Sequence, residues 1–480
     1  MDTEYLREQI QNKTSGYIHF DKRRSLDNAL WSYISNEEKI KKHGFFPFIH
    51  FTLNTRKVKR QSEQLKIKNK RRDIMYAAHV DSWIYRYYGA CLNEKYNEYL
   101  KIHGFHDIPI AYRTNLNGQC NINYANDTFK FIKNNVPSIV IIGDFTKFFD
   151  FLDHQYLKKQ LCDLLEVNRL PDDFYRVFLS LTKYSYVDLS AILKYRGAKS
   201  LKELNDEKQI LSNADFHKLS RKKHRVNPED DFIIKKNQKM YGIPQGSPMS
   251  GVLANIYMIK FDEMLLEWVK KRHGYYRRYC DDFVIVLPCT KGKAGILEKE
   301  AREWLTKLFS WRSQNSGKLL VKLQQEKTQV YFFDGKQIKD CYSSKATPNI
   351  SFLGFSYNGQ IVKIRDQTTS RYYQRFYRKL REIQKQNDLK HKYGEKLHGC
   401  SNFYKLYTEK GKCDIGKNGD RKGNFIDYAR RSSKIFDINF RGHHKINLIP
   451  QRHMHKAKKE LKKIYKKTSS SRRLGGVNNS

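Results

Sequence analysis

Ser138-Ile-Val-Ile-Ile-Gly143 is an unbroken apolar, β-branched run ending at Asp144, which predicts a buried strand closing on an acid. A second such run, Phe283-Val-Ile-Val-Leu287, leaves Tyr279-Cys280-Asp281-Asp282. Those four residues read as a tight hairpin with the carboxylates at its turn. Further short strands are predicted near 319–323, over Gln329–Phe333 and around Ile350–Phe355. Helical spacing predicts a helix from Asp73 to about Tyr99, carrying Trp83, Ile84, Tyr87, Tyr88 and Leu92, and others at about 153–166 and 293–310. Gly242-Ile-Pro-Gln-Gly-Ser-Pro248 forms a rigid loop into one long helix from about Met249 to Lys271. From Thr369 the chain turns helical and basic. Tyr372, Phe376 and Leu380 share one face, while Arg371, Arg375, Arg378 and Arg381 interleave on others. Residues 185–237 are so mixed and charged that they read as an insertion or lid rather than core. The stretch from Lys456 reads as a short basic helix and the last residues as disordered.

Charge changes the picture most. The 480 residues carry 92 Lys and Arg against 50 Asp and Glu, a formal net charge of +42. So large an excess calls for a polyanionic partner. With no apolar run of about 18 residues to span a membrane, nucleic acid is the better match than a lipid surface. The 14% aromatic content suits stacking on bases. The N-terminal MDTEYLREQIQNK lacks the apolar core of a signal peptide, so a cytoplasmic location is expected. Eight scattered Cys without a CxxC pair point to reduced thiols. His398, Cys400 and Cys413, with His443 and His444 downstream, are too irregularly spaced to favour a zinc site.

Asp144 and the Asp281-Asp282 pair are the candidate chemistry. Carboxylates at a strand end and at a hairpin turn can converge on hard divalent cations, because Mg²⁺ takes oxygen ligands. Two such ions about 3.5–4 Å apart serve in-line attack at phosphorus. Each acid alone would pass for an ordinary turn residue.

The order of the pieces is more specific than any of them. A strand ending in Asp144, Pro244-Gln245-Gly246 before a helix, the Tyr279–Asp282 hairpin, Lys327 after a short strand and Phe352-Leu353-Gly354-Phe355 resemble the palm of a reverse transcriptase over roughly Arg72 to Phe355. Arg72-Asp-Ile, His79, Asp81, Ile84-Tyr85 and Pro109-Ile-Ala-Tyr-Arg113 resemble the bacterial "unknown group", the defence-associated and abortive-infection reverse transcriptases.

That resemblance implies an α+β right-hand polymerase with fingers, an antiparallel-sheet palm and a helical thumb-like C-terminal domain. It implies that Asp144, Asp281 and Asp282, with Phe145 counted in the metal site, hold two Mg²⁺ ions, with Mn²⁺ a possible substitute. Phe149, five residues after Asp144, matches the steric gate that excludes a 2′-hydroxyl. Gln245 and Gly246 would meet the incoming nucleotide, Lys327 the triphosphate, and Arg113 would clamp phosphates from the fingers. Phe352, Leu353, Gly354 and Phe355 would form the primer grip. Outside the span of that resemblance, the cationic face that Arg371, Arg375, Arg378 and Arg381 give the helix suits a nucleic-acid duplex. Cys280 replaces the Ala common at that position and bears on fidelity and template fit.

The expected organisation is a basic extension (1–70), fingers (71–137), palm (138–184), a charged insertion or lid (185–240), palm with acidic hairpin and grip (241–360), a basic helical thumb or RNA-binding region (361–467) and a disordered tail (468–480). The expected partners are an RNA template, in the form of a cognate structured non-coding RNA, the DNA product and deoxynucleoside triphosphates. No membrane partner is expected, and homo-oligomerisation stays open. The resemblance further implies a role in anti-phage defence. Template-independent or protein-primed DNA synthesis, and a non-catalytic RNA-binding scaffold, remain as alternatives.

Overall fold

The computed structural model describes residues 3–11, 16–61, 64–116, 118–204, 206–221, 234–293, 295–297, 299–300, 303–304, 321–323, 328–341, 348–392, 401–408 and 423–474. The chain is mixed α/β. Along it run α1 (Thr3–Gln11), α2 (Asn28–Ile34), α3 (Glu37–Lys41), β1 (Phe48–Gln61), β2 (Gln64–Tyr76), α4 (His79–Ile102) and α5 (Asn121–Asn134). Next come β3 (Ser138–Thr146), a 3₁₀ turn (Phe148–Phe151), α6 (His154–Leu165), α7 (Asp172–Thr182), β4 (Ser185–Asp188), α8 (Leu189–Tyr195), α9 (Asn213–Arg221) and β5 (Lys235–Lys236). Then follow α10 (Ser250–Tyr257), α11 (Ile259–Lys270), β6 (Tyr275–Tyr279), β7 (Asp282–Pro288), β8 (Lys322–Leu323), β9 (Gln329–Phe333) and β10 (Ile338–Asp340). The last elements are β11 (Ile350–Phe352), β12 (Phe355–Tyr357), β13 (Val362–Ile364), α12 (Asp366–Lys392), α13 (Ser401–Tyr407), α14 (Phe425–Phe440) and α15 (Leu448–Leu474).

Two compact units divide the chain. The first comprises 1–117, 143–285 and 299–328, and the second 118–142, 286–298 and 329–480. Strands β3 and β7 each run through both.

In the first unit, β1 and β2 form a long antiparallel hairpin, and β4 adds parallel to β1 with β5 beyond it. Here three expectations fail. The helix predicted from Asp73 begins at His79, because Asp73 to Tyr76 pair as strand with Ile49 to Thr52. The charged segment after residue 185 is built on a core rather than being a bare lid. Val187, Ile192, Leu204, Ile210 and Leu211 are buried with Ile18, Phe20 and Ile49, while the charges sit outside. The single helix expected over Met249–Lys271 is two, α10 and α11, divided at Met258. Strands β6 and β7 flank the acidic turn, and β8 pairs antiparallel with the end of β3 at Phe145.

In the second unit, the first half of β3 pairs antiparallel with β9, which pairs with β10. The antiparallel sheet β11-β12-β13 precedes, among the described residues, four helices. Tyr372, Phe376 and Leu380 of α12 are buried as the helical spacing predicts, and the last two pack with Phe403, Ala457, Leu461 and Ile464. Helix α15 continues to Leu474, beyond the expected start of a disordered tail at 468. Among the described residues no helix is long and apolar enough to cross a membrane.

Candidate active site

The site is built on the sheet of the first unit. β3 carries Asp144 at its end, and the β6–β7 turn carries Cys280 and Asp281. The two are locked in register by the backbone, since the Phe145 N–H donates to the Asp281 carbonyl at 3.0 Å. Beneath them the Phe145 ring packs on Phe148, Phe261 and Phe283 with centroids 5.5–5.7 Å apart. The acids therefore stand on an aromatic floor that keeps water from below.

The carboxyl groups of Asp144 and Asp281 are hydrogen-bonded to each other. Burial, and then the Asp144 charge, push the Asp281 carboxyl above the ordinary carboxylate range. The neighbouring negative charge disfavours ionisation of Asp281, and a cation bound between the two side chains would relieve that repulsion. That oxygen-only pair fits Mg²⁺, which is commonly held by one or two carboxylates together with substrate phosphates. Phe145 can add only its backbone carbonyl. Asp282 begins β7 and is exposed. Among the described residues no three His, Cys, Asp or Glu side chains gather into a metal cage.

The turn is held from behind. Cys280 adopts a left-handed φ of +57°, a conformation that costs a non-glycine residue about 1–2 kcal/mol. Arg278 secures it, because its Nη1 donates to the Cys280 carbonyl and to Asn255 Oδ1, both at 3.1 Å. Its other nitrogens grip Asp262, with Nε 2.8 Å from Oδ1 and Nη2 2.5 Å from Oδ2. The Tyr276 hydroxyl donates to the same carboxylate at 2.6 Å. Arg278 and Asp262 are wholly buried. Sequence reasoning missed this pair, although a signal existed. Arg278 lies two residues after buried Tyr276 and so on the inward face of β6, and Asp262 sits on the apolar face of α11.

The Pro244-Gln245-Gly246 loop packs against β2. The Gln245 carbonyl accepts the Met75 N–H of β2 at 2.9 Å. Gly246 has φ +123°, and a Cβ there would lie 2.4 Å from the Met75 carbonyl oxygen, so only glycine fits. Phe149, half-buried in the 3₁₀ turn, gives its carbonyl to the Ile243 N–H at 3.0 Å, which ties it to this loop. Arg113 is hydrogen-bonded within its own loop. Its guanidinium donates to Asn97 Oδ1 at 2.8 Å and to the carbonyls of His106 and Pro109, so it braces its own loop. Lys327 lies outside the described residues, as do His398, Cys400 and Cys413. Of the two histidines, His444 donates from Nε2 to Asp437 Oδ1 at 2.8 Å.

In the second unit, Phe352, Leu353, Gly354 and Phe355 form the β11–β12 turn, with Leu353 and Gly354 at φ +47° and +93°. The Asn121 amide holds the Leu353 carbonyl at 2.9 Å. Arg371, Arg375, Arg378 and Arg381 are all exposed along α12.

No protein-family model matches the chain, and no curated protein does. Solved structures with weak similarity include apo telomerase from Candida tropicalis, at 13% identity and a TM-score of 0.37, over 70% of this chain and 52% of that one. Telomerase from Candida albicans in complex with a TWJ fragment of telomeric RNA aligns at 15% identity and a TM-score of 0.35, over 91% of this chain and 62% of that one. The chain thus spans less than two thirds of the length of either.

Proposed function

We propose that this chain is a reverse transcriptase that makes DNA with divalent-cation assistance, on a cognate structured RNA, in bacterial defence against phage. The observation that supports it most is the contact of Asp144 and Asp281 between a strand end and a hairpin turn. The order of sequence motifs supports the polymerase class, and the resemblance of Arg72-Asp-Ile, His79, Asp81, Ile84-Tyr85 and Pro109–Arg113 to the defence-associated group supports the defence setting.

On this reading Asp144 and Asp281 hold the cation, with Asp282 beside the turn. Bound there, Mg²⁺ would polarise the attacking hydroxyl and offset the triphosphate charge. The Phe149 ring bars a 2′-hydroxyl, and the loop at Gln245 and Gly246 lets backbone approach the nucleotide. Arg278 keeps the acidic turn in place without touching substrate. The exposed arginines of α12 bind RNA through phosphates and shape. We assign the fingers and the acidic palm to the first unit and a thumb-like role to the helices of the second.

The test is synthesis by the protein purified with its bound RNA, given Mg²⁺ and four deoxynucleotides, followed by sequencing of the DNA. A product copied from one RNA and lost in Asp281→Ala supports the proposal. A homopolymer would indicate untemplated or protein-primed synthesis instead. Protection of cells from phage that survives Asp281→Ala would identify a non-catalytic scaffold.

A further inference from the structure

Tyr112 is held in an uncommon conformation beside the acids. Its φ of +56° is left-handed, which costs an ordinary residue about 1–2 kcal/mol and suits glycine. Buried amides enforce it from two sides. Asn255 Nδ2 donates to the Ala111 carbonyl and Asn93 Nδ2 to the Tyr112 carbonyl, each at 2.7 Å. Both asparagines are nearly inaccessible to solvent. Arg113, next in the chain, is braced as described above.

The ring has a prepared seat. Gly251 in the first turn of α10 faces it, and a Cβ at that position would lie 2.6 Å from the ring's Cγ. Any other residue at 251 would push the ring away. The Tyr112 side chain is also hydrogen-bonded to that of Cys280, and Asp281 lies within electrostatic reach of its hydroxyl. Exposure then separates the two neighbours, since Cys280 is 4% exposed and Tyr112 is 53% exposed. A molecule arriving at Asp281 meets the aromatic ring, and the thiol lies beneath it.

We propose that Tyr112 is a specificity-determining residue that seats the base of the nucleotide held at Asp144 and Asp281. The inference rests on the nucleotidyl-transfer reading of those acids. An exposed ring fixed by strain, by two amides and by a glycine seat is a rigid stacking surface. Base stacking on an aromatic is sequence-tolerant and is worth about 5- to 150-fold in affinity per base. It also favours purines, which present the larger π-face. The second position of the acidic turn therefore acts through Tyr112, and Cys280 serves as the support under the ring.

The experiment measures equilibrium binding of dATP and dCTP with Mg²⁺ to the full chain, its Tyr112→Phe and Tyr112→Ala variants, and Asp281→Ala. The same samples give the alkylation rate of Cys280 by peptide mass spectrometry. Tyr112→Phe is expected to keep both affinities within about 2-fold, because it keeps the ring. Tyr112→Ala is expected to weaken dATP about 10-fold and dCTP less, to expose Cys280 to alkylation and to keep its melting temperature. Where DNA is made, the loss appears in KM more than in kcat. Equal nucleotide affinities in Tyr112→Ala would overturn the inference, and so would equal losses for purine and pyrimidine. A wild-type protein that binds nucleotide through Tyr112 yet makes no DNA would instead overturn the polymerase reading and leave the stacking role standing.

Discussion

Arg278 reaches under the acidic turn and donates from Nη1 to the carbonyl of Cys280, its neighbour two residues on, at 3.1 Å. The same guanidinium is neutralised by Asp262, so one buried ion pair both joins β6 to α11 and fixes the peptide that carries Asp281. Removing one partner leaves an uncompensated buried charge. Arg278→Met is therefore expected to cost about 3–5 kcal/mol in urea unfolding. The double variant Arg278→Met/Asp262→Leu is expected to regain much of that stability, since apolar replacements of a buried pair are often tolerated. It is not expected to regain DNA synthesis, because no group then holds the Cys280 carbonyl. Recovery of synthesis together with stability would show that the pair serves the fold alone.

Phe149 offers a second test. Its backbone is fixed by the Ile243 N–H and its ring lies 5.8 Å, centroid to centroid, from that of Phe148. The half-buried ring can be truncated without opening the floor around Phe145 and Phe283. Phe149→Ala is expected to raise ribonucleotide incorporation relative to deoxynucleotide by about 10- to 100-fold, read as the ratio of the two kcat/KM values. Unchanged discrimination would remove Phe149 from the gate role.

The arginine face of α12 separates binding from folding. Arg371, Arg375, Arg378 and Arg381 are exposed, while Tyr372, Phe376 and Leu380 hold the helix to its neighbours. Replacing all four arginines with Gln is expected to leave the helical circular dichroism intact. It is expected to weaken RNA binding and to flatten the slope of log K against log salt by up to about 3. A slope that stays the same would mean that the RNA lies elsewhere.

The elements legible in the sequence were those whose burial is written locally. Ser138–Ile142 and Phe283–Leu287 are continuous apolar runs, and the spacing of Tyr372, Phe376 and Leu380 marks one helix face. What sequence reading missed depends on partners far along the chain. Asp73 looks helical until Thr52 pairs with it, and Val187 and Ile210 look like islands among charges until Ile18 and Phe20 cover them. The break at Met258 leaves no local mark, because neither Gly nor Pro stands at it. The acids of the site were readable as a motif. Their support was not, since Asp262 and Arg278, like Asn255 and Ala111, meet only in the folded chain.

His19 gives the fold a pH limit. It is fully buried, and burial, followed by the charge of His79, lowers its pKa from the ordinary 6.5 to about 3. The neutral ring is built into the structure, since Nδ1 accepts the Phe20 N–H at 2.8 Å and Nε2 faces the Tyr76 carbonyl at 3.2 Å. His79 is lowered too, first by burial, with Asp21 opposing that shift. A histidine depressed in the folded state binds its proton in the unfolded chain first. Its contribution to stability is therefore complete above pH 6.5 and is lost progressively as pH falls from there toward 3. The limiting slope from His19 is about 1.4 kcal/mol per pH unit. Urea unfolding between pH 7.5 and 4.5 should show this decline, and His19→Asn, which can still accept the Phe20 N–H, should make it shallower. An equally steep decline in His19→Asn would assign the acid sensitivity to other groups.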